Sequence, residues 1–176
     1  MKITPIVMAA FMGISTAYAH EETPQEMKEA GETAKVAPAL ATAMKEAMIP
    51  LSRGLMASEK VGKPISGKFE IEEGKLQLSI YVVKSGQFFE VIVDHKNGKV
   101  LKSERITSGD DLKEAKSQAE AMVKAKSSLH QLVSSVEKVN PGYKAVSVTP
   151  ESELDQTHAD LLLLKGEESK QLKKRF

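Results

Sequence analysis

Two short turns, Glu73-Gly74 and Ser85-Gly86, constrain this chain more than any other feature. Each lies between runs that alternate apolar and polar residues, and a two-residue hairpin loop dictates which residues stand opposite one another. A loop at Glu73-Gly74 sets Ile71 against Leu76, Phe69 against Leu78 and Glu72 against Lys75. A loop at Ser85-Gly86 sets Val82 against Phe89, Ile80 against Val91 and Leu78 against Val93. Both loops turn the same residues inward. A slip of one position would reverse a strand, so the agreement predicts an antiparallel meander over residues 68–101. A third turn over His95 to Gly98 brings Val100 opposite Val93 and adds a short fourth strand.

Helical periodicity flanks the meander. Met44, Met48, Leu51 and Leu55 recur at steps of four, three and four, which places them on one helix face within residues 39–61. Pro50 must kink that helix or begin its second part, because it lacks the N–H a helix interior needs. Downstream, Asp111 with Glu114 three residues later reads as a capping box. Leu112, Ala115, Ala119, Met122, Leu129, Val133 and Val136 continue one face to about Val139, with a break at Ser127-Ser128. Asn140-Pro141-Gly142 stops the helix. A strand over residues 145–149, a polar loop over 150–157, the run 158–165, a Gly166-Glu167 turn and a basic last strand complete the reading.

Residues 1–19 combine Lys2, an apolar run from Ile6 to Ile14 and Ala17-Tyr18-Ala19, the pattern of a secretory signal cleaved before His20. The run is too short to span a membrane. Residues 20–38 are acidic and poor in large apolar side chains, as expected of a flexible leader. The chain has 25 basic and 24 acidic residues. Loss of Lys2 with the signal brings them into balance, which argues against a nucleic-acid partner. Without cysteine there is no disulfide framework and no thiolate ligand or nucleophile. The expected protein is exported to the periplasm and held together by packing alone.

The two halves read as repeats. At an offset of 78, Ala41, Ala43, Met44, Ala47, Leu51, Glu59, Lys60 and Val61 match Ala119, Ala121, Met122, Ala125, Leu129, Glu137, Lys138 and Val139. The expectation is an α+β fold of two helix-plus-antiparallel-meander units: residues 39–104, a connecting helix at 105–120, and residues 121–176. The first unit, with Tyr81 on its second strand, Val93-Asp94 closing its third and Gly98-Lys99-Val100-Leu101 after the turn, resembles the PepSY domain over residues 40–104. Residues 121–176 resemble a second, degenerate copy without the Asp-x-x-x-Gly turn. The resemblance implies a helix against an antiparallel sheet, a setting among exported proteins and peptidase propeptides, and a role in binding or inhibiting peptidases.

Each group that could carry chemistry has a plainer reading beside it. Asp94-His95 could begin a metal or acid/base site, but no further ligands or activated serine converge there, and Asp94 reads instead as a turn residue with Gly98 at positive φ. His20 could chelate copper through the mature N-terminus, yet it heads the leader. Glu151, Glu153, Asp155, His158 and Asp160 crowd the second unit's loop and could hold a hard cation, though their spacing fits no EF-hand and suits a solvated loop. On the outer sheet face, Tyr81, Val83, Phe88 and Ile92 are the candidate partner-binding residues. Val83 and Phe88 stand cross-strand as an apolar patch that soluble monomers seldom leave bare; the plainer reading is that the connecting helix from Asp111 or the second unit covers it. No phosphate-binding loop, His-Glu-x-x-His or Gly-x-Ser-x-Gly motif is present. The reading is therefore a non-enzymatic binding module with no cofactor and a protein or peptide partner, such as a peptidase. The alternative is a periplasmic carrier of a small ligand or metal.

Overall fold

The two short turns form with both central residues in the left-handed region, Glu73 and Gly74 at φ 50° and 76° and Ser85 and Gly86 at φ 51° and 74°. This is the type I′ geometry, whose twist matches that of the flanking strands. The strands they join are β1 (Lys63–Glu72), β2 (Lys75–Lys84) and β3 (Gln87–Val93), followed by β4 (Val100–Ile106). Every pairing expected from the turns is present, including Phe69 with Leu78, Ile80 with Val91 and Val93 with Val100.

The computed structural model describes residues 38–153 and 156–176. The signal expected at 1–19, the leader expected to follow it as far as residue 37, His20 and Asp155 lie outside the described residues. Pro38, assigned to the leader on sequence grounds, opens α1 (Pro38–Ala43), which runs into a 3-10 turn at Met44–Glu46. The chain then breaks, and Pro50 caps α2 (Leu51–Ser58). The break removes Met48 from the apolar face it was expected to share with Met44, Leu51 and Leu55: Met48 is 76% exposed, whereas the other three are buried.

α3 (Gly109–Val123) and α4 (Leu129–Val139) precede a second meander, β5 (Lys144–Glu153), β6 (Gln156–Lys165) and β7 (Glu168–Arg175). All seven strands form one antiparallel sheet in the order β4-β3-β2-β1-β5-β6-β7. The two meanders meet through only two residue pairs, Gly67 with Val148 and Lys68 with Ser147. Each first strand carries a register shift near its start, between Pro64 and Ser66 in β1 and between Ala145 and Ser147 in β5.

The core lies between one sheet face and α2 with α4. Leu51 and Leu55 of α2 reach the sheet at Gly67, where a Cβ would lie 2.7 Å from Ile80 Cδ1 and 3.2 Å from Leu55 Cδ2. The absent side chain is what lets α2 approach the sheet centre this closely. Leu129, Val133 and Val136 of α4 extend the same apolar layer.

Three local expectations are corrected. The stretch from Leu112 to Val136 is not one continuous face, since α3 bonds to outer-face residues while α4 packs beside α2. Asp111 does not cap α3; Ser108 is its N-cap residue, and the capping box belongs to Ser128 and Gln131 at the start of α4. The polar loop expected over residues 150–157 is mostly strand, because Pro150 opposite Ala159 continues the inward row of Val148 and Leu161.

Candidate functional site

The outer face of the sheet, opposite α2 and α4, holds the candidate site. α3 crosses it, contacting strands from β3 to β6. Three side-chain bonds seat the helix, one of them from the Lys63 ammonium to the Met122 carbonyl at 3.1 Å. The Tyr81 hydroxyl donates to Asp111 Oδ1 at 3.1 Å, and the Ser66 hydroxyl donates to Gln118 Oε1 at 2.7 Å. Ser66 stands cross-strand from Tyr81 on this face, and Gln118 is buried beneath the helix.

Between α3, β1 and β5 lies a cleft of roughly 430 Å³, walled by polar side chains that include the hydroxyls of Ser66, Ser79 and Ser147, the Gln118 amide and the Glu151 carboxylate. It opens where β1 and β5 stop pairing. Toward β3 the charge is acidic. Burial pushes the Tyr81 hydroxyl far above its ordinary value, and the carboxylates of Asp111 and Glu90 add to this. Burial likewise raises the Glu90 carboxyl, with repulsion from Glu70 contributing.

Tyr81, Val83, Phe88 and Ile92 all stand on this face and are half-buried. Val83 and Phe88 are directly cross-strand, as expected. Tyr81 is tied down by α3, and Tyr81, Val83 and Phe88 pack against the core cluster. The connecting helix thus takes up part of the patch and leaves part of it at the surface.

Asp94 and His95 form a turn. The Asp94 carboxylate accepts the N–H of Lys96 at 2.7 Å and the Asn97 amide at 2.5 Å, which holds its carboxyl below the ordinary range. The His95 carbonyl accepts the N–H groups of Met48 and Ile49 at 2.9 and 3.1 Å, so the turn secures the break before α2. His130 pairs instead with Glu59, at 2.9 Å.

In the second meander the structure changes the character of the acidic cluster. Glu151 on β5 stands directly cross-strand from His158 on β6, and Asp160 is two residues further along β6. All three project from the outer face. His158 is 4% exposed, and its Nε2 lies 3.7 Å from both Glu151 Oε2 and Asp160 Oδ1, without a hydrogen-bond partner. Glu153 leaves the group to pair with Lys173 at 3.2 Å. The alternation His158, Asp160, Leu162 on one face against Ala159, Leu161, Leu163 on the other was the signal for this arrangement.

Comparison with family models, curated proteins and solved structures finds no match to this chain.

Proposed function

We propose that this chain is an exported, non-enzymatic binding protein of two PepSY-like units that captures an extended segment of a protein or peptide on its open sheet edge. The observation that carries this is β4. It ends the sheet, six of its seven residues are exposed, and Leu101 is 65% exposed on it. An edge strand presents unpaired N–H and C=O groups, so main-chain pairing supplies affinity while side chains beside the edge select the sequence. Val83, Phe88 and Ile92 lie on the neighbouring strands. Inhibition of a secreted peptidase is the particular form suggested by the sequence resemblance.

The two-copy reading draws support from the sheet. Leu51 and Leu129 begin α2 and α4 78 residues apart. The bulges of β1 and β5 occupy matching places, and Gly67 and Val148, which match by that bulge register, pair with each other. Antiparallel pairing of a strand with its own counterpart is what a two-fold relation between units requires.

Successive residues of an edge strand point their N–H groups alternately to the neighbour and to solvent. Of the variants Ser103→Pro and Glu104→Pro, one therefore removes an outward donor and leaves the ladder intact. With the partner captured from a periplasmic extract, the variant that stays folded is expected to lose binding. Unchanged capture by that variant overturns the edge-binding proposal.

A further inference from the structure

We infer that Glu151, His158 and Asp160 form a binding site for a single first-row divalent cation of the zinc class, independently of any peptide bound at β4. The decisive feature is the buried imidazole. A buried polar atom without a partner costs stability and needs a physical reason. At 3.7 Å, His158 Nε2 is too far from either carboxylate for a hydrogen bond, yet it is equidistant from Glu151 Oε2 and Asp160 Oδ1. The candidate ligand atoms lie within 4.8 Å of one another. Ligands about 2.0–2.1 Å from a tetrahedral zinc stand about 3.3 Å apart, so small side-chain movements close the set around an ion.

The chemistry of the donors selects the class of ion. One imidazole with two carboxylates suits a borderline cation such as Zn²⁺ better than Ca²⁺ or Mg²⁺, which favour all-oxygen shells. The strand positions preorganise the site, since a cross-strand pair and an i, i+2 pair on one face of β5 and β6 supply every ligand. Of the β7 cations, Lys173, opposite Asp160, directs its ammonium away to Glu153, while Arg175 stands cross-strand from His158. The side chains of Glu151 and Asp160 are 36% and 28% exposed, which gives an ion access from solvent. Glu151 also lines the cleft, so a bound cation sits at its rim.

The test is calorimetric titration of the mature chain with Zn²⁺ alone, beside His20→Ala and the near-isosteric variants Glu151→Gln and Asp160→Asn. Expected are one site in the wild type, retention in His20→Ala, and losses of about tenfold or more in each carboxylate variant, since even outer-shell changes cost 10–100-fold at metal sites. Zn²⁺ should also shift the His158 imidazole resonances and raise the wild-type Tm, while circular dichroism shows the variants folded. Absence of binding, unchanged affinity in the Glu151→Gln, Asp160→Asn double variant, or an unmoved His158 resonance overturns the inference.

Discussion

Glu90 stands on β3 between two strands, with Tyr81 on one side and Glu104 on the other. Burial raises its carboxyl above the ordinary value of 4.5, so the folded protein holds this proton more tightly than the unfolded chain. The stability tied to that proton is fully present below the ordinary value and is lost as pH rises through the raised one. Glu90→Gln, always neutral, is expected to match the wild type in acid and to exceed it in stability at neutral pH. Chemical denaturation across the two conditions measures this, and parallel stability curves contradict it. At this scale the turns made much legible: the register alone places Tyr81, Val83, Phe88 and Ile92 on one face. That the Tyr81 hydroxyl ends on Asp111, thirty residues later, was not legible, because no local pattern couples them.

α3 shows what element-level reading misses. Its apolar spacing was visible, but Ala115, Ala121 and Met122 form a buried stripe of mostly small residues that says nothing about which side of a sheet it meets. The buried hydrogen bond between Ser66 and Gln118 is expected to fasten the helix. Ser66→Ala leaves the Gln118 carbonyl without its donor and should cost about 1–3 kcal/mol. Denaturation gives the cost, and amide exchange should quicken within α3. Stability and exchange both unchanged would mean that this bond does not hold α3. For β5 and β6 the difficulty was composition. Pro150, Glu151, Ser152 and Glu153 look like a loop, yet the chain keeps its period of two through Pro150 and Ala159, and the hairpin continues to Glu153 and Gln156.

Across the whole molecule, one apolar cluster runs from Ala41 through Leu78 and Val133 to Leu172, and α2 packs directly on α4. The two meanders, joined in the sheet by two residue pairs, are thus also bound through their helices. Unfolding is expected to be one cooperative transition, with far-ultraviolet dichroism and the signals of Tyr81 on β2 and Tyr143 just before β5 coinciding. Two separated transitions would show that the halves are independently stable. The sequence by itself determined the hairpin turns, the strand registers of the first meander and the presence of helices before each meander. All of these follow from turn stereochemistry and periodicity among near neighbours. Only the tertiary structure decided that β1 meets β5, that α3 crosses the face opposite α2 and α4, and that His158 is buried between two carboxylates. Those outcomes depend on how distant surfaces fit and which polar groups find partners when water is excluded, and a local pattern carries no record of its distant partner.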